Sequence, residues 1–211
     1  MLTLYTASFS SNGRKTVALA RHLGLCLEIV EVNVYRGEGR APAFLAINPF
    51  GKVPTLVDGD LVLMESNAIL VYLSEAHGEF RLWSQEPRAR GEILRWLFWE
   101  SAHWQPALTQ VLRAHAGPIM APEFVQAPDG EPQWASPELA RLLEHLEQRL
   151  RDSEHLAGSA ATLADFSVAA MTIYFRRLGF PFSSYPAFCS WYERMHALPA
   201  WKSTSAEPWL T

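Results

Sequence analysis

Three short segments in the first third of the 211-residue chain hold residue types suited to binding and activating a small polar ligand. Phe9-Ser10-Ser11-Asn12-Gly13-Arg14-Lys15 sets hydroxyls and an amide just ahead of a helical pattern. A serine hydroxyl there can donate to a thiolate, and a helix N-terminus favours the negative charge. Ser and Asn are also the commonest helix caps, so Ser10, Ser11 and Asn12 all stay open as the donor. Asn48-Pro49-Phe50-Gly51-Lys52-Val53-Pro54 brings a proline to a strand entrance. Proline has no N–H to donate and its cis bonds favour tight corners, so Val53 can offer its backbone to an extended peptide. An ordinary turn into an edge strand is the plainer alternative. In Met64-Glu65-Ser66-Asn67, Ser66 stands where a helix starts. Free amides there attract a carboxylate, while Glu65 can pair with an ammonium. That combination suits the α-amino acid end of a small ligand, although simple capping by Ser66 would also explain it.

The elements that must position these groups follow from patterning. Leu2 to Tyr5 reads as a short buried strand, and Val17, Leu19-Ala20 and Leu23 fall near helical spacing before Gly24. Glu28 to Val34 alternates and is β-branched, hence a strand. Pro54–Val57 and Leu61–Met64 are strands joined by Asp58-Gly59-Asp60, a hairpin signal. Ser66 is expected to cap a helix with Ile69, Leu70, Tyr72 and Leu73 on its apolar stripe. The order β-α-β-α-β-β-α suits an α/β thioredoxin-like layer. In such a layer the first loop holds reactive sulfur. This loop has no cysteine, so the sulfur must come from the ligand.

Beyond residue 80 the pattern is all-helical. The spacing predicts a helix from Pro87 to about His115 and one opening at Ser136-Pro137-Glu138 with Leu139, Leu142-Leu143, Leu146 and Leu150 on one face. It predicts another at the capping-box variant Thr162-Leu163-Ala164-Asp165, burying Phe166, Ala169-Ala170 and Ile173, and a last from Pro186 to His196. The expected organisation is an N-terminal domain over 1–80, a linker over 81–87 and a helical domain over 88–211. Arg81 to Arg95 reads as a solvated linker and helix face. Trp96, Trp99 and His103 share one helical face with Glu100, and Pro106 should perturb the helix just after them. That face suits either the wall of an apolar acceptor pocket between the domains or a helix–helix core or dimer contact. Residues 117–137 hold five prolines and two glycines, a long loop of the kind that is often functional.

Composition narrows the classes. With 49% hydrophobic and 19% charged residues, a sizeable core is available. Lys+Arg is 18 against Asp+Glu 22, for a net charge of −4, and no basic arm or run is present. Nucleic acid and anionic membrane surfaces are therefore not expected as partners. Two cysteines, Cys26 and Cys189, make no disulfide framework, and no CxxC, HExxH or zinc spacing occurs, so no metal is expected. Neither a signal-peptide pattern nor a membrane-spanning stretch is seen, and a soluble cytoplasmic protein is expected.

Taken together, the order and spacing of these motifs resemble the cytosolic glutathione transferase family, of the serine type or a related bacterial class. The resemblance rests on the first strand with its Ser-containing loop, on Asn48 to Pro54, and on Glu65-Ser66-Asn67-Ala68-Ile69. It continues through Thr162 to Asp165 and through Tyr185-Pro186-Ala187-Phe188, Trp191-Tyr192 and Pro199-Ala200-Trp201, and is weakest over 105–135. It implies a homodimer and a glutathione site on the first domain. Val53 would pair its backbone with the cysteinyl part, with Pro54 in cis. Glu65 and Ser66 would hold the γ-glutamyl end, and Arg40 and Lys52 would face the glycyl carboxylate. Ser10 aligns with the thiol-activating hydroxyl of serine-type members, and Asn12 is the second catalytic candidate. Phe9, Trp99 and His103 are candidates for the electrophile pocket. The loop departs from tyrosine-type and cysteine-type members, having neither residue. The implied activity is transfer of glutathione sulfur to a small hydrophobic electrophile. A glutathione-dependent peroxidase or disulfide reductase, and a non-catalytic binding module, are the alternatives.

Overall fold

The computed structural model describes residues 1–115, 134 and 136–204, and within them two compact units form. The first takes in Met1–Trp83 and the closing stretch from Pro199; the second is Ser84–Leu198.

In the first unit, strands β1 (Leu2–Thr6), β2 (Leu27–Glu31), β3 (Thr55–Asp58) and β4 (Leu61–Leu63) form one sheet of order β2-β1-β3-β4. β1 pairs in parallel with β2, with Leu4 opposite Ile29, and antiparallel to β3, with Leu4 opposite Leu56. The β1–β2 crossover is helix α1 (Ser11–Leu23), which ends at Gly24 in the left-handed region, as the sequence pattern expects. Leu2, Leu4 and Thr6 are buried while Thr3 and Tyr5 are half-covered, the period of a strand with one face in the core. Two 3₁₀ turns and the short helix α2 (Pro42–Leu45) connect β2 to β3. After β4 comes helix α3 (Ser66–Tyr72), which runs on as a π turn over Leu73–His77. That turn brings His77 Nε2 within 2.8 Å of Asp58 Oδ2, which also accepts from the Tyr72 hydroxyl at 2.7 Å. These bonds hold the Asp58 carboxyl below its ordinary range and push the Tyr72 phenol up.

The second unit is helical: α4 (Pro87–Trp99), α5 (Gln105–His115), α6 (Pro137–Arg151), α7 (Leu163–Ala169) and α8 (Pro186–Ala197). A π turn over Glu100–Trp104 joins α4 to α5, closed by a bond from the Gln105 N–H to the Glu100 carbonyl. It sits where Pro106 lacks an N–H and its ring crowds the preceding turn. Leu139, Leu142, Leu143, Leu146 and Leu150 are buried on α6 as the spacing predicts. Thr162 and Asp165 form a reciprocal capping box at α7. That helix stops at Ala169 and tightens to a 3₁₀ turn over Ala170–Thr172, where the Thr172 hydroxyl bonds back to the Ala169 carbonyl at 2.7 Å. Ile173, expected in the buried stripe, is half-buried.

Three expectations need correction. Arg81 is not simply solvated linker: its guanidinium donates to the carbonyls of Leu23 at 2.6 Å and Gly78 at 3.2 Å. The closing segment, expected in the helical domain, packs on the first unit as helix α9 (Pro199–Lys202), because Trp201 is buried there under the Arg14 guanidinium at 4.4 Å. Ser66 does not cap α3. It is the first helical residue, and Glu65 holds the cap position without a side-chain cap bond. Apart from Trp134, Ser136 and Pro137, the proline-rich stretch 117–137 lies outside the described residues. No helix among the described residues is long and apolar enough to cross a membrane.

Candidate functional site

Register places the three segments at one end of the sheet. Tyr5, near the end of β1, lies opposite Thr55 at the start of β3, and Leu63, at the end of β4, lies opposite Leu56. The Ala7–Ser10 loop, the Val53-Pro54 corner and the Met64-Glu65-Ser66 turn therefore leave the same edge. β2 ends there too, and Glu31 Oε1 steadies the loop by accepting from Ser8 N at 3.1 Å and Ser8 Oγ at 2.8 Å.

Ser10 is the N-cap of α1, its Oγ accepting from Gly13 N at 3.0 Å. The bond uses a lone pair, and no acceptor among the described residues takes the hydroxyl proton. Gly13 has to be glycine: a Cβ there would fall 1.8 Å from Thr6 Oγ1. α1 thus lies close on β1, with Ser10 at its open end. Asn12 Oδ1 is buried with no hydrogen-bond partner, so a second polar atom at this N-terminus remains unsatisfied. Phe9 packs its ring on Tyr35, centroids 4.8 Å apart.

The Val53–Pro54 bond is cis. Asn48, only 1% exposed, holds the corner: its Nδ2 donates to Lys52 O at 2.8 Å and Thr55 Oγ1 at 2.9 Å, and its Oδ1 accepts from Phe50 N at 3.0 Å. Val53 lies two residues ahead of the ladder, and among the described residues its backbone has no hydrogen bond. Gly39 and Gly51 pack backbone to backbone, since a Cβ on Gly51 would stand 2.4 Å from Gly39 O. This contact makes neighbours of the segments carrying Arg40 and Lys52, both exposed.

Glu65 has φ 65° and ψ 109°, a left-handed conformation costly for a side-chain-bearing residue. Its carbonyl accepts from Ile69 N at 3.0 Å and so starts α3. The amides ahead of Ile69 have no intrahelical acceptor. Lys15, fully buried, donates from Nζ to Asn67 Oδ1 at 2.7 Å and ties α1 to the first turn of α3.

The aromatic face divides. Trp96 and Trp104 are buried core, the latter donating from Nε1 to Val168 O at 3.1 Å. Glu100 is also in the core, where its Oε2 accepts from the Ser167 hydroxyl at 3.1 Å. Trp99 is half-buried and His103 exposed, and both line a cavity of about 320 Å³ with Arg141, Leu142 and His145. Burial, helped by Arg95, pulls His145 below its ordinary pKa. Phe9 belongs to the other unit. No group of three His, Cys, Asp or Glu residues able to hold a metal occurs among the described residues.

Sequence reasoning missed Asn48, Lys15 and the Gly39–Gly51 contact as positioning residues. Asn48 stood in a motif already singled out, but its partners depend on how the corner folds.

Comparison with known proteins identifies the family of both units. Residues 1–75 match the family Glutathione S-transferase, N-terminal domain, and residues 107–199 match Glutathione S-transferase, C-terminal domain. Glutathione S-transferase F10 of Arabidopsis thaliana is 32% identical, over 98% of this chain and 97% of its own. The disulfide-bond oxidoreductase YfcG of Escherichia coli is 33% identical, over 95% of this chain and 92% of its own. Among solved structures, a glutathione S-transferase-I bound with lactoylglutathione superposes with a TM-score of 0.85 at 26% identity, over 97% of this chain and 98% of that one. Glutathione transferase F7 of Populus trichocarpa gives 0.84 at 27% identity, with both chains fully covered.

Proposed function

This chain belongs to the glutathione S-transferase family, and we propose that its first unit binds glutathione at the open end of the sheet and ionises its thiol for attack on a small hydrophobic electrophile. Val53 pairs its backbone with the cysteinyl part beside the cis Pro54. Glu65 takes the γ-glutamyl ammonium, and the α3 amides beginning at Ser66 take the carboxylate. Arg40 and Lys52 face the glycyl carboxylate. Ser10 donates to the thiolate, with Asn12 beside it. Phe9 is the candidate for electrophile contact on the first unit and Trp99 and His103 are the candidates on the second, and glutathione is the co-substrate.

The carrying observation is the Ser10 hydroxyl, which caps α1 through its oxygen while no described acceptor takes its proton. A thiol of ordinary pKa about 8.5 must fall by roughly two units to ionise at neutral pH, worth about 2.7 kcal/mol. One charge-assisted bond contributes about 1.5–3 kcal/mol and the helix terminus about 0.3–1 kcal/mol, which together suffice. The proposal includes a cytoplasmic homodimer. Phe50, 65% exposed, and Phe98, 71% exposed, give each unit one ring for a partner to cover.

The test is calorimetric titration with glutathione, followed by assays with an aryl halide, a hydroperoxide and a mixed disulfide. Binding with aryl-halide turnover is expected. No heat at millimolar glutathione defeats the binding site, and binding without turnover on any acceptor defeats the catalytic role.

A further inference from the structure

We infer that the second unit carries an oxyanion site of its own, at the end of α6, for a small phosphate or sulfate ester. A cavity of about 680 Å³ opens there, lined in part by Arg149, Arg151 and Arg194 with Asp152 and Glu154. All of these residues lie within Ser84–Leu198, so the inference does not depend on the glutathione site.

The charge balance around the cavity favours an anion. Arg149 Nε donates to the Leu156 carbonyl at 2.8 Å, and one Nη of Arg194 donates to the Glu154 carbonyl at 2.6 Å. These are neutral acceptors, and among the described residues neither guanidinium has a carboxylate partner. Among the described residues, Arg151 meets a carboxylate only at Glu147 Oε1, at 3.4 Å. That carboxylate is already engaged at the start of α8, accepting from Ala187 N at 3.2 Å and Phe188 N at 2.9 Å. Asp152 and Glu154 are exposed, and among the described residues neither pairs with a guanidinium.

Basic side chains in the last turns of α6 and α8 would complement the helix dipoles without any ligand. That account does not explain why three of them, from two helices, line one cavity. A tetrahedral oxyanion accepts paired bonds from the planar fork of a guanidinium, which suits this arrangement. The volume falls in the range of about 300–1,000 Å³ typical of small-molecule sites and exceeds what bare phosphate fills, hence an ester.

The experiment is calorimetric titration of the full-length protein at low ionic strength with phenyl phosphate, phenyl sulfate and, as the non-tetrahedral control, benzoate. The expected result is one phenyl phosphate or phenyl sulfate per chain, with benzoate weaker. The preferred ester names the source. Arg151→Gln should weaken binding at least about tenfold. Arg194→Lys, which keeps the charge and removes the planar guanidinium fork, should do the same. Glutathione affinity should be unchanged in both variants. Absence of heat at millimolar ester, or equal affinity in wild type and Arg151→Gln, overturns the inference. Arg151 is 67% exposed, so its substitution leaves the fold intact and decides the matter if Arg194→Lys does not fold.

Discussion

At the scale of single residues, Ser10 serves two purposes with one oxygen. Its lone pair caps α1 through Gly13 N, and in the proposed site its proton goes to the glutathione thiolate. Ser10→Ala removes both. Loss of the cap should cost about 1 kcal/mol of stability. Loss of the donor should raise the bound thiol pKa by about one to two units and lower kcat/KM roughly 10–100-fold at neutral pH. Ser10→Thr keeps both functions and should retain most activity. Ultraviolet titration of bound glutathione thiolate reads the effect directly, and an unshifted titration in Ser10→Ala would move the donor to Ser11 or Asn12. Ser10 and the Val53-Pro54 corner were legible in the sequence because capping and proline chemistry act within a few residues. The strain at Glu65 and the burial of Lys15 were not. Glu65 carries no local mark of a left-handed turn, and Lys15 meets Asn67 only after 52 residues of chain have folded back.

At the scale of elements, the α7 capping box shows what local pattern can and cannot disclose. The Thr162…Asp165 spacing announces the helix start, and both bonds of the box form. What the spacing does not disclose is that Asp165, fully buried, also accepts from Leu156 N at 3.0 Å and from Trp191 Nε1 at 2.8 Å, joining the preceding loop and α8 to α7. Asp165→Ala should therefore cost about 3–5 kcal/mol, since it strands several buried donors at once. Thr162→Ala, which loses only the cap, should cost about 1 kcal/mol. Urea unfolding midpoints compare the two, and equal losses would show that Asp165 acts as a helix cap and nothing more. The π turn at Glu100–Trp104 was legible as a perturbation from Pro106, but not as a π turn. Glu100 is buried with Trp96 and Trp104, whereas Trp99 is half-buried and His103 exposed.

At the scale of the whole molecule, two features bear on stability. Burial, with Arg81 and Arg95 nearby, holds His22 and His145 below the ordinary histidine pKa of 6.5. Between those lowered values and 6.5 the unfolded chain binds more protons than the folded one, so stability rises with pH there and declines as pH falls below about 6.5. Asp58 adds a second limb: its contribution holds above the ordinary value of 3.8 and is lost as pH falls through its depressed folded pKa. Unfolding midpoints measured across mildly acid pH should slope downward toward acid, and His145→Gln should flatten that slope. A flat wild-type profile would refute the assignment. The second feature is that the chain's last described helix completes its first unit. Arg14, fully buried, donates from Nε to Thr204 O at 3.1 Å and Thr204 Oγ1 at 3.0 Å, and from one Nη to Trp201 O at 3.3 Å. Arg21 donates to Ser203 O at 2.7 Å. Removing the chain from Pro199 onward takes these acceptors from a buried charge, a loss of about 3–5 kcal/mol. It also uncovers the face of α1 that Trp201 packs against. Because Ser10 caps α1, the shortened chain 1–198 should lose glutathione affinity together with stability, whereas a closing segment of merely local importance would lower neither. Calorimetry and urea unfolding of that chain distinguish the two cases, and undiminished affinity with an unchanged midpoint would detach the closing helix from the glutathione site.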